Sequence, residues 1–420
     1  MKNNVVIIFA LVSLFISGCS SLGKGVTEAF LEKQEADDTR ACEVWGEAFL
    51  GLKPHIQRNK GKMKVLMVHG VGDHQPGYAT QFYEKLAQEL KLSVTSKTHK
   101  NIQLSNPGYP DKELGNLRII RYLNKDQSQE LILYELTWSE ITAKEKEVLA
   151  YDNSGQYSFR RAEINDLMKR FSNDTGPDPI IYLGESRKYI LSAFAQSFCW
   201  MTVGDWDDLP TETQESCNTP NITSINNDQY AFVSHSLGSR ITIDGLQRIA
   251  TLLGEDSSKL NNHKWKNAKG IKEAFKKKVI PIYMMSNQLP MLQLGRKLPE
   301  VSGQEDLYCQ ESGEKYSQRM LAKTPIIAFS DPNDLLSYVI PQGFVEKYID
   351  SRLCVDVTNI NINVAFVYDV FGIGKIANPM EAHIGYDTDD RVVALIAKGI
   401  GNEETSALVY GRCRWIETVE

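Results

Sequence analysis

The pentapeptide SHSLG at residues 234–238 decides the fold of this chain. It follows the apolar run Tyr230–Val233 and precedes a helical pattern, so Ser236 is predicted to lie at a sharp turn from a strand into a helix. Such a turn pushes a hydroxyl out of the sheet plane, where a base and a substrate carbonyl can reach it. The pattern is G-x-S-x-G with Ser234 in place of the first glycine, a departure that weakens the match but leaves the candidate nucleophile intact.

Apolar runs and helical patterns alternate on both sides of this turn. The predicted strands are Val65–Val68, the hairpin Arg118–Leu123 with Leu131–Trp138, Val279–Met285, Pro325–Phe329 and Ile360–Tyr368, and the predicted helical pieces are Ala79–Leu90, Leu237–Leu252, Lys272–Lys277 and Arg391–Lys398. Strands that alternate with helices indicate a mostly parallel sheet covered by helices on both faces. The expected fold class is therefore α/β.

A long segment, about 141–228, separates the hairpin from the strand that leads into the elbow. Helical pieces are expected near 141–150, 159–171 and 180–201. A crossover between neighbouring parallel strands needs only about a dozen residues, so this segment is several times the necessary length. It is predicted to be a helical insertion, either a lid over the site or extra helices packed on the sheet.

The first nineteen residues are predicted to be a signal peptide. Lys2 supplies a positive start, and Val5–Ile16 is apolar but too short to span a bilayer comfortably. The ending ISGC resembles a bacterial lipobox, in which Cys19 is lipidated; an ordinary secretory signal with an incidental cysteine is the alternative. By that resemblance Ser20 points to the outer membrane of the cell envelope. Residues 20–60 are then a tether and N-terminal extension before a domain over 61–420.

Composition and cysteine usage agree with an exported globular protein. Of the 420 residues 42% are hydrophobic and 24% charged, and the formal net charge of −6 gives no reason to expect nucleic acid as a partner. Six cysteines remain after Cys19, an even number that three disulfides would use in an oxidising compartment. Cys199 with Cys217 is the most local pair, and buried free thiols are the alternative.

A nucleophile at Ser236 needs a general base and an acid that orients it. His235 is poorly placed because neighbours on a strand point to opposite faces, and His263 lies in a polar stretch before any acid-bearing strand. His383, on a loop after the last strong strand, is the predicted base. The predicted acid is Asp334, several residues beyond Pro325–Phe329, with Asp331 as the alternative.

The oxyanion hole requires two backbone N–H groups. Leu237, at the start of the elbow helix, is expected to supply one, and Val71, in the turn HGVG at 69–72, the other. His69 and His74 lack acidic or histidine partners at helical spacing, so no metal site and no cofactor are predicted.

The segments VLMVHGVG, FVSHSLG, FSDPNDLL and MEAHIGY together resemble the α/β-hydrolase superfamily. They are most similar to lipase-like esterases with an HG oxyanion turn, including the GPI-inositol-deacylase-like group. The resemblance implies that Ser236, Asp334 and His383 hydrolyse a carboxylic ester, as in a lipase or phospholipase, with a carboxylesterase of small esters as the near alternative and a thioesterase less favoured. The alternative is an inactive hydrolase-fold lipoprotein that serves as a scaffold or binding module.

Overall fold

The computed structural model describes residues 40–57, 62–94, 99–154, 159, 161–218, 220–254, 267–369 and 375–416. The predicted signal peptide with Cys19, most of the predicted tether, and His263 lie outside these residues. None of the helices within the described ranges is long and apolar enough to cross a membrane.

Sixteen strands are described. They are β1 Cys42–Trp45, β2 Phe49–Leu50, β3 Lys62–Val68, β4 Ser93–Val94, β5 Lys100–Leu104, β6 Asn116–Leu123, β7 Glu130–Thr137, β8 Thr213–Glu215, β9 Gln229–His235, β10 Ile282–Met285, β11 Thr324–Ser330, β12 Val355–Ile362, β13 Val367–Asp369, β14 Lys375–Ala377, β15 Gly399–Ile400 and β16 Cys413–Trp415.

The described α-helices are numbered here in chain order. They are α1 Lys53–Ile56, α2 Thr80–Glu89, α3 Glu140–Lys146, α4 Ala150–Ser154, α5 Glu163–Thr175, α6 Pro177–Leu183, α7 Arg187–Met201, α8 Ile222–Asn227, α9 Leu237–Leu252, α10 Ala268–Phe275, α11 Leu289–Gln293, α12 Glu305–Cys309, α13 Phe344–Tyr348, α14 Pro379–Ile384, α15 Asp390–Lys398 and α16 Ala407–Arg412. Short 3₁₀ turns include Glu147–Leu149, Trp206–Asp208, Tyr316–Gln318, Ser351–Leu353 and Gly385–Asp387.

Twelve strands form one central sheet in the order β16-β1-β12-β11-β10-β9-β3-β7-β6-β5-β8, with β4 paired to β6. The run from β12 to β7 is parallel throughout. Strand β1, Cys42–Trp45, joins this sheet antiparallel to β12, so the packed structure already includes residues before 61. The chain is an α/β protein with a mostly parallel sheet flanked by helices, which confirms the predicted fold class at this level.

Both faces of the sheet are covered, because alternate side chains of β3 belong to two different apolar cores. Leu66 and Val68 belong to one apolar core, which also contains the helix α7 residue Phe194. Val65 belongs to a second core, on the other face, together with Phe82 of α2. Because side chains on a strand point alternately to opposite faces, a strand apolar on both sides must be buried between two helical layers.

The predicted strand at Ile360–Tyr368 is wrong in its boundaries. Ile360–Tyr368 was expected to be a single buried strand, but β12 begins at Val355 and ends at Ile362. The backbone N–H groups of Val364 and Ala365 donate to Asp331 Oδ2, at 2.7 and 3.0 Å, and so leave the ladder. The chain then forms a separate hairpin of β13 with β14.

Residues 146–177 form a compact unit of their own, distinct from the unit made by 40–145 with the chain from 178 onward. Within the smaller unit the side-chain amide of Asn173 donates to Asn153 at 2.9 Å, and Lys146 pairs with Asp174 at 3.7 Å. Its helix α5 leaves Met168 exposed. The possible lid function of the insertion stays a prediction.

The rest of the insertion is joined to the elbow helix through Asp244. This buried carboxylate of α9 ion-pairs with Arg240, Arg296 and Arg187 at 2.6, 2.6 and 2.9 Å. Tyr182 of α6 donates its hydroxyl to the same carboxylate at 2.6 Å. Burial alone would raise the pKa of Asp244, but the three guanidinium groups lower it well below its usual value. The helix that follows Ser236 is therefore held in place from two sides.

Three disulfides use all six cysteines of the described residues, Cys42–Cys413, Cys199–Cys217 and Cys309–Cys354. The expected local pair, Cys199–Cys217, is confirmed, and the alternative of free thiols is wrong.

Candidate active site

Ser236 lies between the last residue of β9, His235, and the first residue of α9, Leu237. Its backbone has φ 54° and ψ −123°, a conformation that residues other than glycine rarely adopt. The side chain is fully buried, and Oγ has no hydrogen-bond partner among the described residues. A strained backbone with an uncommitted hydroxyl is what a strand-to-helix nucleophile turn requires.

The close approach of backbones around Ser236 explains the small residues of the motif. A Cβ added to Gly238 would lie 2.2 Å from the carbonyl oxygen of Val68, at the end of β3. A Cβ added to Gly70 would lie 2.6 Å from the Cβ of Ser236. Ser234, at the position of the missing glycine, is fully buried, and its hydroxyl lies 3.5 Å from the Tyr283 carbonyl on β10. The serine therefore fits without displacing either strand.

His383 and Asp334 meet beyond the carboxyl ends of these strands. The Nδ1 atom of His383 lies 3.0 Å from Asp334 Oδ1. Asp334 is almost fully buried; burial raises its pKa, but hydrogen bonds from His383 and Ser286 outweigh this and the pKa is lowered overall. His383 was expected on a loop, but it lies on the short helix α14, which Asn378 caps by accepting from the N–H of Met380.

Asp331, the alternative acid, accepts hydrogen bonds from backbone N–H groups and has none with His383 among the described residues. Its Oδ2 accepts the two backbone N–H groups that end β12, and its Oδ1 accepts the N–H of Asn333 at 2.7 Å. Its own N–H lies 2.6 Å from the Tyr386 hydroxyl. The structure brings Asp334 to His383 and uses Asp331 to shape the loops around them.

His235 has a role that sequence reasoning missed. Its Nε2 lies 2.8 Å from the backbone carbonyl oxygen of His383. Burial, and then the proximity of His383, lowers the pKa of His235 to about 3, so the ring is neutral at ordinary pH. Nothing local in the sequence indicates a contact with a residue so far along the chain.

The turn after β3 is built around His69. The N–H of Trp138 donates to His69 Nε2, and the Trp138 indole donates to the His69 carbonyl, both at 3.1 Å. The two rings stack with centroids 4.7 Å apart. Because Gly70 touches Ser236, this arrangement places the half-buried Val71 beside the elbow.

Asp178 is a second residue that the sequence did not single out. It is fully buried, and its Oδ2 accepts the N–H of Gly72 at 2.7 Å. The carboxylate thereby holds the glycine-rich turn from the side of the insertion. Leu237, the other predicted oxyanion donor, is the first residue of α9, where backbone N–H groups have no partner within the helix.

No hydrogen bond joins Ser236 Oγ to His383 among the described residues. A cavity of about 520 Å³ opens beside α14, next to Met380 and Ile384, but neither Ser236 nor His383 lines it. Within the described ranges, no group of three or more His, Cys, Asp and Glu side chains could hold a metal ion. What the site offers is an elbow serine, a paired histidine and carboxylate, and a glycine-rich turn at one edge of the sheet.

Comparisons of the chain with protein-family models, with curated proteins and with solved structures find no match in any of the three.

Proposed function

We propose that this protein is a serine hydrolase of carboxylic esters with an α/β-hydrolase fold. One observation carries the proposal. Ser236, in its strained turn after β9, lies at the same carboxyl end of the parallel strands as Asp334, which is hydrogen-bonded to His383. Strands β9, β10 and β11 are parallel neighbours, so the loops after them lie side by side. The order serine, acid, histidine along the chain is the order of that fold.

In the proposed reaction, Ser236 Oγ transfers its proton to His383 Nε2 and bonds to the ester carbonyl carbon. The carbonyl electrons move onto the oxygen, which the N–H groups of Leu237 and Val71 stabilise. The tetrahedral intermediate collapses, the C–O bond breaks, and His383 protonates the leaving alcohol. Water then attacks the carbonyl of the acyl-enzyme while His383 takes its proton. The acid is released when His383 returns a proton to Ser236 Oγ. Asp334 holds the proton-bearing Nδ1 of His383 and stabilises its charged form.

Apolar side chains around the candidate base favour a lipid ester over a small polar one. Leu335, next to the acid, is 74% exposed, and Ile384, next to His383, is 53% exposed. Phe366, just before β13, and Met380, on the same helix as His383, are exposed as well. Exposed apolar residues gathered on the loops of one site are typical of a surface that receives an apolar ligand.

A position at the bacterial envelope, anchored through a lipid on Cys19, is part of the same proposal. Its support is the lipobox-like ending of the leader and the use of all six described cysteines in disulfides. Disulfides persist in oxidising compartments such as the periplasm. Stable anchoring requires more than one acyl chain, which the amino group and thiol of a modified N-terminal cysteine would carry.

An inactive scaffold or binding module is the second candidate. The observation in its favour is that Ser236 is fully buried and its hydroxyl makes no hydrogen bond to His383. On the hydrolase proposal, the residues that cover the serine must move before a substrate enters.

Labelling with a serine-reactive fluorophosphonate tests the two candidates. We expect the folded wild-type protein to be labelled, Ser236→Ala to be unlabelled, and the matched control Ser234→Ala to be labelled like the wild type. Hydrolysis of p-nitrophenyl esters that increases with acyl length would support the lipid ester. Absence of both labelling and hydrolysis would favour the scaffold.

A further inference from the structure

The Ser286 hydroxyl lies between the candidate acid and the candidate base. Ser286 is the first residue after β10 and is fully buried. Its Oγ is 2.7 Å from Asp334 Oδ2 and 3.0 Å from His383 Nδ1. Since Nδ1 is also 3.0 Å from Asp334 Oδ1, the three side chains form a closed triangle of hydrogen bonds.

Counting protons fixes the direction of each bond in this triangle. The ionised Asp334 has no proton to donate, so the single Ser286 proton points to Oδ2. The Ser286 oxygen is then an acceptor toward His383. With acceptors on two sides, Nδ1 carries the imidazole proton, and Nε2 is left with the lone pair that a base needs.

The backbone of Ser286 is in the left-handed region, with φ 50°. Glycine would adopt this conformation without strain, whereas a residue with a Cβ is strained there. The hydrogen bonds of the Ser286 hydroxyl offset the strain of this backbone conformation. The neighbouring Asn287 already anchors the acid-bearing loop, because its side-chain amide donates to Tyr338 at 2.7 Å and its carbonyl accepts from Tyr338. The loop therefore has an anchor that does not involve the Ser286 hydroxyl.

We propose that Ser286 is a positioning residue, which holds the Asp334 carboxylate and the protonated Nδ1 of His383 in the orientation that makes Nε2 the base for Ser236. This inference rests on the proposed function. Without the hydroxyl, Oδ1 still accepts the backbone N–H of Leu336 at 2.9 Å, but Oδ2 keeps only a long contact of 3.4 Å with Tyr386, so the second carboxylate oxygen loses its short hydrogen bond.

Two substitutions separate this role from a structural one. Ser286→Gly and Ser286→Ala both remove the hydroxyl, but only glycine relieves the backbone. We expect the same loss in both, about 10- to 100-fold in kcat with KM unchanged, as for a lost hydrogen bond to a charged group. We expect the thermal midpoint of Ser286→Gly to be higher than that of Ser286→Ala, because only glycine relieves the backbone. Wild-type kcat in the glycine variant would overturn the proposal, as would losses that follow the thermal midpoint.

A readout that needs no turnover keeps the inference distinct from the proposed function. In protein with isotope-labelled histidine, the hydrogen-bonded Nδ1 proton of His383 gives a far-downfield proton resonance, assigned by its absence in His383→Gln. We expect this resonance to shift upfield or disappear in Ser286→Gly. An inert wild type would defeat the hydrolase proposal alone, whereas an unchanged resonance in Ser286→Gly would defeat the role of Ser286.

Discussion

His235, the residue before the candidate nucleophile, donates a hydrogen bond from Nε2 to the backbone carbonyl of His383, 2.8 Å away. The carbonyl can only accept, so the His235 proton is on Nε2. Since burial lowers the pKa of His235 to about 3, the ring stays neutral and serves as a fixed donor. His235 thus fixes the distance between the Ser236 turn and α14, the helix that carries His383.

Replacing His235 is expected to reduce catalysis by displacing α14. His235→Phe keeps a ring but leaves the His383 carbonyl without its donor, a loss of about 1–3 kcal/mol. We expect kcat/KM on a p-nitrophenyl ester to fall about 10-fold or more. His235→Gln, which retains an amide donor, should lose less. Equal activity of the phenylalanine variant and the wild type would contradict a positioning role.

The stability of the protein should depend on pH through the same residue. The pKa of His235 is about 3 in the folded state, below the ordinary histidine value of 6.5, so the unfolded state binds the proton first as the pH falls. Its contribution to stability is therefore complete above pH 6.5 and is lost as the pH falls toward 3. Between pH 7 and 5 the wild type should lose about 2 kcal/mol more unfolding free energy than His235→Phe. Parallel losses in urea unfolding would refute this.

Substitution of the two aspartates in the loop after β11 should affect different properties, activity for Asp334 and stability for Asp331. Asp334→Asn keeps the shape of the site but removes the charge beside His383, and we expect mainly a loss of catalysis, with kcat falling by about 10³- to 10⁴-fold. Asp331→Asn replaces an acceptor of three backbone N–H groups, and we expect mainly a loss of about 1–3 kcal/mol in unfolding free energy. Kinetics and denaturation of both variants distinguish these outcomes. The reverse pattern would assign the acid to Asp331.

The elbow helix should not tolerate a methyl group at its second residue. In Gly238→Ala the new Cβ would lie 2.2 Å from the Val68 carbonyl, so β3 and α9 must separate. We expect a lower thermal midpoint and loss of fluorophosphonate labelling. Gly411→Ala is the matched control, because nothing lies within 4 Å of its added Cβ and alanine favours the helix by about 1 kcal/mol. A Gly238→Ala protein as stable and reactive as this control would show that the close approach is unimportant.

Local patterns in the sequence predicted the elements around the site well. Helix α9 has the predicted bounds, Leu237–Leu252, and β11 extends the predicted Pro325–Phe329 by one residue at each end. These elements have strong apolar periodicity and clear turn residues at their ends. Ile360–Tyr368 failed because its break is imposed by Asp331, which lies about thirty residues earlier and captures two backbone N–H groups.

The sequence by itself determined the alternation of strands and helices, the elbow at Ser236 and the short set of candidate partners, since each depends on periodicity or on neighbouring residues. Only the tertiary structure decided that Asp334 rather than Asp331 meets His383. It alone also shows that Ser286, His235 and Asp178 make hydrogen bonds to the residues and turns of the candidate site. The physical reason is that parallel strands distant in sequence end at one sheet edge. The contacts there depend on how their loops pack, which no local pattern records.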